Sequence, residues 1–278
     1  MSATGGSWAW TDDTDVVHSL DRPNLRVRTL THPYSVPPLV GDDVQLASYP
    51  GEFFLTKQHG ARRISLELLL FDPDGFPANV YGVIQELAQC FGIANQGTLT
   101  HYRPDGSIVT AKAQVNGWTS ARADAGPFNP VQQGPTGIWY IAVVPFVLSD
   151  PYFYGPSFSL GPTDISGGTG VQTLVHPGTV RGWKAVFSFA GPCTNPKVTN
   201  GANTWSVQAL TTVASGQTLV IDCSAWTAMN GASNLIGSVV HAGGFPFMMI
   251  EPGSNVLSIT GGTGSPATLT STFSPPYL

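Results

Sequence analysis

The chain has 278 residues, of which only 10% are charged, with a net charge of −5 and 32 Gly and 23 Pro. That length accommodates two ordinary domains with separate cores, and the Gly/Pro content favours short strands and tight turns over long helices. No Lys/Arg surplus exists to neutralise phosphates, which excludes direct nucleic-acid binding. The three cysteines, Cys90, Cys193 and Cys223, lack CxxC spacing, which excludes a zinc site or a disulfide framework and reads as buried thiols in a reducing cytosol. MSATGGSWAWTDDTD has neither the basic start nor the apolar stretch of a signal peptide, and no run reaches the about 20 apolar residues of a membrane segment.

Charge divides the chain. Up to Gly155 there are 9 Lys/Arg and 14 Asp/Glu; from Pro156 onwards there are 3 and 3. The boundary follows FVLSDPYFYG, where Asp150-Pro151 ends an apolar run and Tyr152, Phe153 and Tyr154 follow. Two domains are therefore expected, 1–155 and 156–278.

In chain order, Trp8 and Trp10 with the acidic TDDTD belong either to a first strand or to an arm that pairs with a neighbouring subunit. LRVRTLTH, 25–32, alternates with period two and reads as a strand. Pro33, Pro37 and Pro38 make the next stretch an extended loop. RRISLELLLF, 62–71, sets Ile64, Leu66, Leu68 and Leu70 on one strand face, with Ser65 and Glu67 on the other. Asp72, Asp74 and Gly75 start like a calcium loop, but Phe76 and Ala78 occupy later ligand positions, so a turn into a helix is expected. That helix, 78–91, carries Val80, Ile84, Leu87 and Phe91 on one face, with Pro77 in its first turn and Gly92 at its C-cap. Paired strands follow, with a Pro104-Asp105-Gly106 turn, then a polar Gly/Pro loop over 124–137. IWYIAVVPFVL, 138–148, is a buried strand in which Pro145 marks an edge or a bulge. The first domain thus reads as a mostly antiparallel sheet with one packed helix.

Beyond the boundary the expected strands are QTLVHPG, WKAVFSFAG, NPKVTN, TWSVQAL, QTLVIDCS, FPFMMIEPG, NVLSITGG and ATLTSTFSP. Turns at Asn200-Gly201, Ser215-Gly216, Asn230-Gly231 and Pro252-Gly253 punctuate them, the cadence of an antiparallel β-sandwich.

Reaction signatures are absent from the sequence. There is no G-x-S-x-G elbow, dinucleotide fingerprint or phosphate loop. His18, His32, His59, His101, His176 and His241 lack metal-ligand spacing and are expected on surfaces or in loops. The second domain offers only Asp164, Asp222 and Glu251 as carboxylates, the latter two at strand ends. A protein that is not an enzyme and carries no cofactor or metal is expected. Trp183, Trp205 and Trp226 are candidates for a carbohydrate platform, against the plainer reading that they pack the sandwich core.

Residues 171–278 resemble the C-terminal sandwich of siphovirus-type distal tail proteins. The resemblance rests on VHPGTVRGWKAVFSFAGPCTNPKVTN, SGQTLVIDCS, MNGASNL, FPFMMIEPGSNVLSIT and ATLTSTFSPPYL. Asn195, Pro196, Lys197 and Val198 match the family's Asn-Pro turn; Gly216, Leu219, Ile221 and Asp222 match its Gly-x-x-Leu-x-Ile-Asp strand; Pro252, Gly253 and Asn255 match its closing hairpin. His176-Pro177-Gly178 departs from the family's Asn at the first turn. Residues 50–155 are similar to the family's ring-forming domain, through ISLELLLF, the helix and FVLSDPYFYG.

The resemblance implies a mainly β protein with a galectin-like C-terminal sandwich. It implies a hexameric ring at the virion tail tip, assembled in the host cytoplasm, joining the tail tube protein to the tail-tip hub and baseplate proteins. Subunit contacts are then expected on the helix (Val80, Ile84, Leu87), on the 124–137 loop (Pro127, Phe128, Pro130) and around the 62–71 strand. The acidic surplus is a candidate lining for a lumen through which DNA slides. Where galectins carry His-x-Asn-Pro-Arg this chain reads Cys193-Thr194-Asn195-Pro196-Lys197, and the Trp-Gly-x-Glu strand is missing. Both departures speak against inherited lactose binding. Carbohydrate binding for host adsorption is the alternative role.

Overall fold

The computed structural model describes residues 6–29, 37–40, 44–45, 52–53, 58–72, 74, 76–91, 96–117, 119–120, 132–134, 137–201, 205–243 and 248–278. The chain divides into two compact units, one running to Phe153 with Leu278 and the other from Tyr154 to Tyr277.

In the first unit the principal strands are β1 (Ser7–Thr11), β2 (Val17–Ser19), β3 (Leu25–Thr29), β4 (Arg62–Asp72), β5 (Gln96–Tyr102), β6 (Ile108–Val115) and β7 (Gly137–Leu148), with helix α1 (Pro77–Phe91) after β4. They pair antiparallel in the order β2-β1-β5-β6-β7-β4-β3. The ends of this order are joined by residues 20–24 alone. In a flat sheet β2 and β3 would lie roughly 29 Å apart, six strand spacings of about 4.8 Å. The six Cα steps from Ser19 to Leu25 reach at most about 21 Å. The sheet therefore curls, and Leu20 and Leu25, on either side of the joint, are fully buried.

Its inner face is the alternation of β4. Ile64, Leu66, Leu68 and Leu70 are fully buried, as are Ala142, Val144, Phe146 and Leu148 of β7. Helix α1 packs on β4 and β7. Val80, Leu87, Cys90 and Phe91 face inward, and Phe91 meets Trp10 and Phe146 edge-on at ring separations of 6.2 and 5.9 Å, while Trp10 and Phe146 meet each other tilted at 5.4 Å. The turn before the helix is built by Asp72, a buried carboxylate. It accepts from the Asp74 and Phe76 amides at 3.1 and 2.9 Å and from Asn79 Nδ2 at 2.9 Å. The calcium-like Asp72/Asp74 pair is thus one residue spent on holding a helix start. Gly92 lies outside the described residues.

One pair of alternatives for this unit is decided and one expectation changes. The tryptophan segment is the first strand rather than an arm: β1 pairs with β2 and β5, and Trp8 and Trp10 are each 2% exposed. Both indoles are buried within the chain's own sheet. Pro145 marks neither an outer edge nor a bulge against β4, since β7 pairs with β4 without a shift from Ile138↔Asp72 to Leu148↔Arg62. On its other side, however, β6 pairs through Val115↔Phe146 and the short strand Thr119–Ser120 pairs from Val143. Pro145, which has no N–H, sits where one neighbour gives way to the next, and its carbonyl accepts from Asn116 N at 3.0 Å.

The second unit is a sandwich. One sheet runs β8 (Phe158–Asp164), β17 (Thr268–Phe273), β10 (Ala185–Ala190), β13 (Thr218–Asp222), β14 (Thr227–Asn230) and then Ser233–Asn234. The other runs β9 (Thr169–His176), β16 (Gly253–Gly262), β11 (Cys193–Asn200), β12 (Trp205–Ala209) and β15 (Val239–Ala242). Phe187, Phe189, Leu219, Ile221 and Leu269 from the first sheet share a core with Leu174, Val198, Val207, Leu257 and Ile259 from the second. Gln172 fastens the two sheets. Its Nε2 donates to Thr163 Oγ1 at 2.9 Å and the Leu269 carbonyl at 3.1 Å, and its Oε1 accepts from Ser271 Oγ at 2.6 Å.

FPFMMIEPG is not a strand over its described residues 248–252; only an isolated bridge, Gly182↔Ile250, pairs there before β16 begins at Gly253. Met248 and Ile250 are fully buried, so the apolar pattern reports burial without a ladder. The Asn255 carboxamide supplies the missing bonds. It accepts from Glu251 N and Asn200 Nδ2, both at 3.1 Å, and donates to the Glu251 and Gly253 carbonyls at 2.7 and 3.1 Å.

Candidate functional site

Chemistry by carboxylates would need one or two free in a cleft. Instead a short pattern, Asp-x-Ser/Thr, recurs and folds the same way each time. Asp12 Oδ1 accepts from Thr14 N, Thr14 Oγ1 and Val16 N at 2.9, 2.7 and 3.0 Å. Asp105 accepts from Ser107 N and Oγ at 2.9 and 2.6 Å. Asp164 accepts from Ser166 N at 2.8 Å. Asp222 accepts from Ser224 N, Ser224 Oγ and Ala225 N at 2.8, 2.7 and 2.9 Å. These are side-chain-capped turns. Hydrogen bonding holds the carboxyls of Asp105 and Asp164 below the usual range, and that of Asp12 well below it, with the His18 bond as largest cause. Glu251, the remaining carboxylate of the second unit, accepts from Arg181 Nε at 2.6 Å.

His101, His176 and the cysteines are equally committed, while His32 lies outside the described residues. His101 and His176 are each 2% exposed, against the expectation of surface or loop positions. His101 stacks on Trp8 at 4.1 Å. His176 Nδ1 accepts from Gly178 N at 2.8 Å and its ring meets Phe273 at 4.8 Å; burial lowers its pKa and keeps it neutral. A flat ring suits the His176 site because it fills a core position while spending one nitrogen on a turn. All three cysteines are free and buried. Burial pushes the Cys90 thiol up to about 12 and raises Cys193 and Cys223, the reverse of what a nucleophile needs. Among the described residues no three His, Cys, Asp or Glu side chains gather as metal ligands, and no helix is long and apolar enough to cross a membrane.

The tryptophans proposed as a carbohydrate platform are distributed over both sheets and are all half-buried. Trp205 begins β12, packs against the sandwich core, and lies on the backbone of Gly243, where a Cβ would come within 2.5 Å of the indole. One face of its ring is thereby occupied. Trp226 sits with φ +57° in the turn between β13 and β14 and also packs against that core. Trp183 precedes β10, beside the Gly182↔Ile250 bridge. The three do not share one strand or one sheet.

For subunit contacts, the structure turns Val80 (2% exposed) and Leu87 (1%) into the chain's own core, which removes both from contact with another copy; Ile84 is half-buried. An amphipathic stripe marks the inner side of a helix, and its outer side here is Tyr81, Gln85, Ala88 and Gln89. Pro127, Phe128 and Pro130 lie outside the described residues.

A different surface emerges on the outer face of the curled sheet. In register across β3, β4 and β7, Arg26 lies opposite Leu69 and Arg28 opposite Glu67, while Leu69 lies opposite Ile141, Glu67 opposite Val143 and Arg63 opposite Val147. Leu69, Phe71, Ile141, Val143 and Val147 are half-buried, so this sheet is apolar on both sides. Sequence reading by alternation finds one apolar face and stops. The signal for the second was the unbroken LLLF run, the mark of a strand covered on both faces.

No family model matches the chain, and no curated protein does. Among solved structures it is similar to the Dit (gp 19.1) protein of phage SPP1, described as a paradigm of the hub adsorption apparatus in phages infecting Gram-positive bacteria. The match covers 98% of this chain and 99% of that one at 13% identity, with a TM-score of 0.64. Two baseplate structures of phage P2 in its activated conformation also match. The one with Ca covers 98% of both chains at 12% identity and TM-score 0.47. The one with Sr covers 96% and 97% at 13% identity and TM-score 0.44. The likeness to SPP1 Dit is one of fold and extends over both units.

Proposed function

We propose that this chain is a structural subunit of a phage tail tip, a distal tail protein that closes into a hexameric ring between the tail tube and the hub or baseplate proteins. The observation that carries the reading is the end-to-end likeness of fold to SPP1 Dit, both units in one chain and in the same order. The chemistry agrees with a part that works by shape. The carboxylates that would serve catalysis in the second unit are tied into turns or an ion pair, the thiols are raised by burial, and the buried histidines fill core positions. The role is non-enzymatic and requires no cofactor. The carbohydrate reading loses support because Trp205 and Trp226 pack against the sandwich core.

The test is where the protein sits in the virion. Gold-labelled antibody raised against the purified chain is expected at the tail tip in electron micrographs of intact particles. Label on heads or along the tube, with bare tips, would refute the assignment.

A further inference from the structure

We propose that the Asp12–Val17 turn of one copy docks on the outer face of β3, β4 and β7 of the next copy, so that the chain joins head to tail. The inference rests on the ring-building reading above and names the surfaces that would build the ring.

The turn is a preformed knob. Asp12 locks it through Thr14, Val16 and His18, the last at 2.9 Å. Asp15 is held at φ +63°, a conformation only a fixed turn maintains in a residue with a Cβ. On this rigid frame Val16 and Val17 are 50% and 62% exposed, beside the carboxylates of Asp13 and Asp15. Their backbones hold the turn and begin β2, and their two adjacent side chains are left to water. A rigid segment loses little freedom on docking.

The face has the opposite character. Its centre is Leu69, Ile141 and Val143, and Arg26, Arg28 and Arg63 stand along it; Arg26 is already paired with Asp21 at 2.9 Å, and Glu67 is the acid among its described strand residues. Arg28 is 78% exposed and meets Glu67 only at 3.8 Å, so its guanidinium retains donors for another carboxylate. An acidic turn tipped with valines matches an arginine-edged apolar face in both charge and hydrophobicity. Knob and face are different surfaces of one chain. Contacts of that kind are heterologous, and they close into rings when the rotation permits.

The test uses the full-length protein and native mass spectrometry. The face variant Arg28→Glu/Arg63→Glu and the turn variant Val16→Asp/Val17→Asp are each expected to reduce the assembled wild-type species to monomer. Mixed in equal amounts they are expected to give a one-to-one dimer and nothing larger, because one intact turn and one intact face remain. Circular dichroism establishes that each variant is folded. Where one is not, Val17→Cys with Leu69→Cys in the wild-type background is expected to form, on oxidation, linked species that extend beyond the dimer. A wild-type assembly that keeps its mass in both folded variants and does not cross-link overturns this contact and leaves the ring reading standing. A wild type that is monomeric at every concentration, with and without tail partners, overturns both.

Discussion

The two units solve one problem, burying β-sheet, in opposite ways. The second covers one sheet with another, and its core closes on itself with little help from charge: 3 Lys/Arg and 3 Asp/Glu lie beyond Pro156. Its specificity comes from buried amides. Gln172 joins the sheets, and Asn255 with Asn200 replaces a strand's ladder at 249–253. The first unit curls one sheet, fills the inside with a helix, and leaves apolar side chains on the outside. It relies on ion pairs at its seams: Arg22 with Glu86 at 2.6 Å ties the β2–β3 joint to α1, and Arg26 with Asp21 at 2.9 Å braces β3. A domain finished by its own sheets behaves as a module. The second apolar face of the other is the surface we propose docks on another copy.

That contrast can be pressed at several points. The largest expected effect is Phe187→Ala, which removes a fully buried ring from the sandwich core; a loss of about 3–5 kcal/mol is expected. Hydrogen exchange should show it in the second unit while the assembly mass stays that of wild type. Gln172→Leu comes next. It strips partners from the Leu269 carbonyl and the Ser271 hydroxyl at a cost of about 1–3 kcal/mol, read as a lower urea midpoint for the same unit. A midpoint within error of wild type would mean that the amide does not fasten the sheets.

Smaller effects belong to the first unit. Arg22→Ala is expected to cost under about 1 kcal/mol, since both partners are a third or so exposed. The pH dependence follows from the direction of the Glu86 shift, downward from 4.5 and caused first by its hydrogen bond from Arg22. A lowered carboxyl pKa stabilises above the unfolded value and loses that contribution as pH falls through the folded one. The wild type should therefore lose more than Arg22→Ala below pH 4.5 and differ from it by a constant amount above. Smallest of all, molar salt should erode exchange protection around α1 and β3, and in the sandwich only beside the Arg181–Glu251 pair. Equal sensitivity in both units would break the comparison.

Much of the fold was legible where burial has a period. Strand β4 and helix α1 followed from alternation and from the Val80/Ile84/Leu87/Phe91 spacing. Edge strand β8, FSLGPTD, escaped because it has no fully buried residue and its register shifts between Leu160 and Thr163. FPFMMIEPG misled because burial and pairing are separate facts, and side-chain amides can replace a ladder. For candidate sites, the helix stripe pointed inward to the core rather than outward to a partner. The informative surface residues were ones that a one-faced strand pattern discards, Leu69 and Phe71 beside Glu67. The Asp-x-Ser/Thr turns were visible in the sequence throughout, as short-range hydrogen-bond geometry.

Assembly of the purified chain is the most direct test. Electron-microscopy class averages of the purified chain, alone and mixed with the tube protein of the same phage, are expected to show closed rings with sixfold symmetry. Averages that contain only single chains under both conditions would contradict it.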